Sequence, residues 1–165
     1  MEASPKRSLA LDTNLLLDLA SEKDFAQEFR EEFSGRGYSL LVPPTVVAEL
    51  AYFASLKDAP QREIANAALE KIGGWHCQPF DLSSIQLAIA GRFAARLIDA
   101  SLLPATEHND GKILAQTSLA RIPLLVTSDK HLLQIDEEAL LLAFNDADLP
   151  PVHPSHPKRL LRALR

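Results

Sequence analysis

The feature that most narrows the folds open to this chain is an alternation. Short apolar runs of strand length hand over, again and again, to stretches whose apolar residues recur at helical spacing. Ser8 to Leu11 reads as a buried strand ending at Asp12, followed by Thr13-Asn14 and the helical set Leu15, Leu16, Leu19. Asp24 to Phe33 reads as an amphipathic helix with Phe25, Phe29 and Phe33 every four residues, ended by Ser34-Gly35-Arg36-Gly37. Tyr38 to Val42 is a second strand, stopped by Pro43-Pro44, and Thr45 is the expected cap of a helix from Val46 to about Leu56. Pro60 opens another helix, closed by Gly73-Gly74. His76 to Phe80 reads as a short strand, Ser83 or Ser84 as the cap of a helix through Leu97, and residues 101–108 as a loop. A helix from Asp110 to Ala120 leads into a strand from Ile122 to Thr127. Asp129 then opens a loop or a short helical turn, and Ala139 to Phe144 is expected as the last strand. Strands alternating with helices predict a parallel sheet covered on both faces.

At 165 residues the chain suits one domain, with residues 1–149 as its body. Residues 150–165 are expected to belong to the same domain, as a Pro-rich extended connector and a short basic helix. No apolar run approaches the roughly 20 residues that a membrane span needs, and no apolar stretch of leader length follows the charged N-terminus, so neither membrane insertion nor secretion is expected. Cys77 is the single cysteine, which rules out an internal disulfide and fits a cytoplasmic location. The net charge of −5 argues against a coat protein that is basic all over, but leaves room for local basic patches. Lys158, Arg159, Arg162 and Arg165 form one such patch, and Arg92 with Arg96 another; each alone reads as a solvated helix face.

Three acids occupy related positions. Asp12 lies where the first strand becomes a helix, Asp129 just beyond the strand ending in Thr127, and Asp110 in the first turn of the helix that leads to that strand. In open parallel sheets ligands gather beyond the carboxyl ends of the strands, where the strand order reverses, so Asp12 and Asp129 meet if their strands are neighbours. Glu49, one helical turn after the second strand, can lean over the same edge. Taken singly, each has an ordinary explanation as a helix cap, a first-turn acid or a surface residue. Taken together, carboxylates flanked by apolar segments need a partner. Acids gathered at one edge repel one another unless a cation joins them. Oxygen ligands of this kind suit Mg²⁺, which can activate water toward a phosphodiester.

At these residues the chain resembles a known family. Leu11-Asp12-Thr13-Asn14, Val47-Ala48-Glu49-Leu50, Asn109-Asp110-Gly111-Lys112-Ile113-Leu114-Ala115 and Pro123 to Asp129 look like the four acidic motifs of PIN domains, in order and spacing, over about residues 8 to 145. The Pro157-Lys158-Arg159-Leu160-Leu161 tail looks like the ending of one bacterial group. The resemblance implies a three-layer α/β/α sandwich around a central parallel sheet. It implies an Mg²⁺- or Mn²⁺-dependent ribonuclease that hydrolyses single-stranded RNA, with Asp12, Glu49, Asp110 and Asp129 as the acids of the metal site. It also implies supporting polar roles for Asn14 and Thr127, with Asn14 expected to prop Asp12. Relatives include toxins of toxin–antitoxin pairs, often homodimers silenced by an antitoxin protein. Many relatives carry a further acid just after the last aspartate; here Lys130 and His131 follow, which puts a fifth acidic ligand in doubt.

Other classes fit less well. An aspartyl-phosphate phosphatase would need an acid where Asn14 stands, and the glycine fingerprints of nucleotide-binding loops are missing. The competing reading is a PIN-like module that binds RNA or protein without cutting; four retained acids speak against it. His108, His131, Lys112 and Trp75 read as loop, helix-surface and core residues, and Cys77 as a small core residue.

Overall fold

A computed structural model describes residues 7–165; the charged stretch 1–6, read above for a leader, lies outside the described residues. Five strands, β1 (Ser8–Leu11), β2 (Ser39–Val42), β3 (Cys77–Pro79), β4 (Leu124–Val126) and β5 (His153–Ser155), form one sheet in the order β3-β2-β1-β4-β5. Every pairing is parallel. The helices on its faces are α1 (Thr13–Ala20), α2 (Asp24–Gly35), α3 (Pro44–Ala54), α4 (Ala59–Lys71), α5 (Ser84–Asp99), α6 (His108–Leu119), α7 (Lys130–Leu133), α8 (Glu137–Asp146) and α9 (Pro157–Ala163). The architecture is the three-layer α/β sandwich that the alternation predicts. The central strand β1 is wholly apolar and almost fully buried from Leu9 to Leu11, as a strand covered on both faces must be.

The chain runs outward from β1 to β2 and β3, then returns to the other side of β1 for β4 and β5. The strand order therefore reverses between β1 and β4, whose ends are held in register by Leu11 against Val126 and by the Asp12 N–H to the Val126 carbonyl at 3.0 Å. This is the position where a parallel sheet leaves a crevice.

Three expectations are corrected. Residues 139–144 are not a strand but the middle of α8. Asp136 caps that helix by accepting from the Ala139 N–H at 3.0 Å, and Glu137 and Glu138 sit in the first turn, where the helix dipole favours acid. Leu140 and Phe144, four residues apart, go inward, while Leu141 and Leu142 remain exposed. Ala and Leu are good helix formers, and an unbroken apolar run hides its period. The missing strand is β5, inside the Pro-rich segment read as a connector. Pro154 is tolerated because β5 is an edge strand, bonded to β4 through the His153 N–H and the Ser155 carbonyl on either side of it. Thr45 is likewise not the cap of α3; the N-cap is Pro43, which offers no side-chain bond. Instead the Gln116 side chain, from α6, accepts from the Thr45 N–H at 3.0 Å and donates to its hydroxyl at 2.7 Å, so a distant amide satisfies the orphaned first turn.

Helices α5 and α6 pack closely where Gly111 faces Ala94. A Cβ at Gly111 would lie 2.7 Å from both Cα and Cβ of Ala94. Gly111→Ala would gain up to about 1 kcal/mol of helix propensity, but the backbone of α5 stands in the way. The net expectation is a loss of roughly 1–3 kcal/mol, as for an overpacked core, read as a lower urea midpoint at unchanged slope.

Candidate metal centre at the strand switch point

The site is assembled by helix starts at the strand ends. Asp12 is the N-cap of α1, its extended backbone turning the chain from β1 into the helix. One carboxylate oxygen accepts from the Thr13 N–H at 2.8 Å and the other from the Thr127 hydroxyl at 2.7 Å. Asp129 is the N-cap of α7 and accepts from the His131 N–H at 2.8 Å. Asp110 stands in the first turn of α6, turned toward the other two. Each of the three offers an oxygen within 4.8 Å of the others.

Thr127 links two of them. Its buried hydroxyl accepts from the Asp129 N–H at 3.0 Å while donating to Asp12. Glu49 stands beside the trio rather than in it, on α3. It accepts from the Thr13 hydroxyl at 2.8 Å, so Thr13 bridges the Asp12 turn to the second acid-bearing helix. Asn14, expected to prop Asp12, makes no hydrogen bond to it among the described residues; the neighbouring Thr13 N–H and Thr127 hydroxyl occupy both oxygens.

The electrostatics are those of carboxylates short of positive charge. Burial pushes the Asp12 carboxyl up from 3.8 to about 7, opposed by the bonds from Thr127 and Thr13 and helped by the charges of Glu49 and Asp129. Asp110 rises further, to about 9. Burial is the main cause, with the charges of Asp12, Asp129 and Glu107 adding to it. Glu49 is raised as well, by burial first, while Thr13 and Asn109 pull it back. Asp110 is only 6 % exposed, and its Oδ2 has no hydrogen-bond partner. A buried carboxylate oxygen without a donor is costly, and the ligand atoms that the three aspartates offer are all oxygens. That set fits a hard divalent cation such as Mg²⁺ or Mn²⁺, which uses a few carboxylates and fills the rest of its shell with water or phosphate.

Sequence reasoning missed two contributors. Thr13 stood in the first motif, but its role depends on α3 lying against α1. Glu107 precedes Asp110 by three residues, the spacing of neighbours on one helix face. Its charge is felt by both Asp110 and Glu49, and it lies 3.8 Å from His131. Cys77 is buried, its thiol pushed up to about 12 by burial, and takes no part.

Comparison with known proteins bears on the family and the fold. The family profile described as PIN domain matches residues 9–138. No curated protein matches the sequence. Among solved structures the fold is similar to VapBC2 from Rickettsia felis bound to a DNA fragment from their promoter. There the TM-score is 0.61 at 17% identity, over 90% of this chain and 98% of that one. It is similar also to DNA-bound VapBC from Salmonella typhimurium, with TM-score 0.58, 18% identity, and 91% and 98% coverage. VapBC-1 from nontypeable Haemophilus influenzae gives TM-score 0.58, 14% identity, and 92% and 98% coverage.

Proposed function

Since this chain belongs to the PIN domain family, we propose that it is a divalent-metal-dependent endoribonuclease acting on single-stranded RNA, with Asp12, Asp110 and Asp129 holding Mg²⁺ or Mn²⁺ and Glu49 beside them. The observation that carries the reading is the convergence of one oxygen from each of three carboxylates within 4.8 Å, in a site where the Asp110 Oδ2 is buried without a hydrogen-bond partner. When bound, the ion supplies acidity for water and positive charge for the phosphoryl oxygens as negative charge builds on them.

The remaining work falls to the chain. Asp12 and Asp129 are fixed by hydrogen bonds at the ends of adjacent strands, so they need little reordering to receive a cation. Thr127 keeps the two at constant spacing and, by donating to Asp12, favours its charged form. Glu49, half-buried and raised by burial, is the acid suited to take a proton from the attacking water. Asn14 stands close by at the start of α1, without a bond to Asp12, as a group for substrate rather than for the acid.

The structural neighbours carrying the VapBC name suggest a biological setting: a cytoplasmic toxin, working as a homodimer and silenced by an antitoxin protein. Purified protein should cut an end-labelled single-stranded RNA in Mn²⁺, stop in EDTA and resume when Mn²⁺ is restored in excess. RNA that is bound but never cut under any of these conditions would instead mark a binding module.

A further inference from the structure

A groove of about 710 Å³ lies along the β5 edge of the sheet, between α7, α8, β5 and α9, and Leu132 and Leu133 of α7, the helix that Asp129 caps, line it. Its floor is apolar, with Leu133, Leu141 and Pro151 among the residues that line it, and Leu133 and Leu141 are exposed to solvent. Arg159 and Arg162, one turn apart on α9, stand on its wall. The acid on its lining, Glu137, is engaged by His153 at 3.4 Å.

Charge is sharply segregated here. Residues 149–165 hold Lys158, Arg159, Arg162 and Arg165 and no acid, in a chain whose net charge is −5. Arg165 pairs with Glu28 at 3.1 Å, and Lys158 lies over the Phe25 ring at 5.1 Å. Arg159 and Arg162 are exposed and make no ion pair among the described residues. The groove is also tied to the acids by covalent and sheet continuity. Helix α7 is capped by Asp129 itself, and the Ser155 carbonyl, two residues before α9, accepts from the Thr127 N–H at 3.0 Å.

We propose that this groove is the track along which single-stranded RNA extends from the acidic cluster, with Arg159 and Arg162 against backbone phosphates and the Leu133, Leu141 and Pro151 floor beneath the bases. The inference rests on the nuclease reading above. Two unpaired guanidinium groups beside an apolar floor match the chemistry of a single strand, which presents charge on one edge and flat apolar faces on the other. An acidic protein segment could share the charge, but the groove begins on the helix that Asp129 caps, where a strand leaving the acids would run.

The test is binding of a fluorescent single-stranded oligoribonucleotide in EDTA, followed by anisotropy over a salt series, alongside cleavage kinetics in Mn²⁺. Arg159→Ala with Arg162→Ala should weaken binding more than tenfold at low salt. It should also flatten the slope of log affinity against log salt by about 1.4, the share of two phosphate contacts to a single strand. In Mn²⁺, KM should rise with little change in kcat. The same pair of substitutions at Arg92 and Arg96 is the comparison; a flattened slope there, with none at α9, would move the track to α5 and overturn the proposal. Unchanged affinity and slope in the α9 variant overturns it too, as does wild type that binds no RNA at low salt. Leu133→Ser with Leu141→Ser should weaken RNA binding; RNA affinity left intact in that variant would overturn the track. The two readings fail separately. Wild type that binds through these arginines without cutting sinks the nuclease alone, and cutting that ignores them sinks the track alone.

Discussion

Asp110→Asn is expected to abolish cleavage and yet to melt at a higher temperature than wild type in EDTA at pH 8. The two effects come from one oxygen. In the metal-free protein the Asp110 Oδ2 is buried without a donor, and burial and the charges of Asp12 and Asp129 lift its carboxyl from 3.8 to about 9. Folding at pH 8 must therefore bring a proton to a group that is ionised in the unfolded chain, and this costs stability. Asparagine keeps the shape, needs no proton and can donate to a neighbouring carboxylate. The gain is on the order of 2–4 kcal/mol, or roughly 5–10 °C for a chain of this size. Cleavage moves the other way, because the variant loses an oxygen that a cation requires. The loss should exceed the roughly 10–100-fold typical of groups that only support a metal ligand. The stabilisation by Mn²⁺ that wild type gains by mass action should shrink with it. A variant that still cuts, or that is less stable than wild type in EDTA at pH 8, would refute the assignment of Asp110.

The pH dependence gives the same result a second form. Both Asp12 and Asp110 have folded pKa values raised above their unfolded ones, so the folded chain binds protons more tightly and loses stability as pH rises. In EDTA, wild type should fall most steeply up to about pH 7, while both acids take up protons on folding, and then less steeply to about pH 9, where Asp110 alone does so. Asp110→Asn should level off near pH 7. Saturating Mn²⁺ should flatten the wild-type curve, since the cation replaces the protons. Thermal melts between pH 5.5 and 9 decide it.

Much of this site could be read in the sequence because local rules and the fold agree there. An apolar strand ending in an aspartate that caps the next helix occurs at Asp12, and a similar turn occurs at Asp129. Strand order then brings the two together at the reversal between β1 and β4. Where the sequence misled, the deciding contact was distant or the pattern had no period. The run 139–144 is apolar at every position, so neither a two-residue nor a 3.6-residue repeat stands out, and only the Asp136 cap and the acidic first turn mark it as helix. β5 could not be seen because prolines argue against a strand unless it lies at an edge, and edges are set by topology. Thr45 looked like a cap because nothing in the sequence announced Gln116, 71 residues away. Asn14 looked like the prop of Asp12 by proximity, but hydrogen-bond directions at the turn favour Thr13 and the distant Thr127.

Thr127 carries the second large expectation. Its hydroxyl is wholly buried, receives the Asp129 N–H and gives its proton to Asp12, so one atom serves two strand ends. Thr127→Val preserves volume but leaves a buried carboxylate oxygen without a donor and a backbone N–H without an acceptor. The expected cost is about 2–4 kcal/mol, summing two lost partners at the usual penalty. Asp12, deprived of the bond that favours its charged form, should rise beyond about 7. Mn²⁺ must then displace a more tightly held proton, so the half-saturating Mn²⁺ concentration at neutral pH should increase and the pH profile of cleavage should shift upward. Thr127→Ser separates chemistry from packing. It removes one buried methyl, worth about 0.8 kcal/mol, but keeps the hydroxyl, so its pH profile should stay where the wild type's lies. If Val and Ser variants share one pH profile and one Mn²⁺ requirement, the hydroxyl does not tune Asp12, and the link between the two strand ends is only a packing contact.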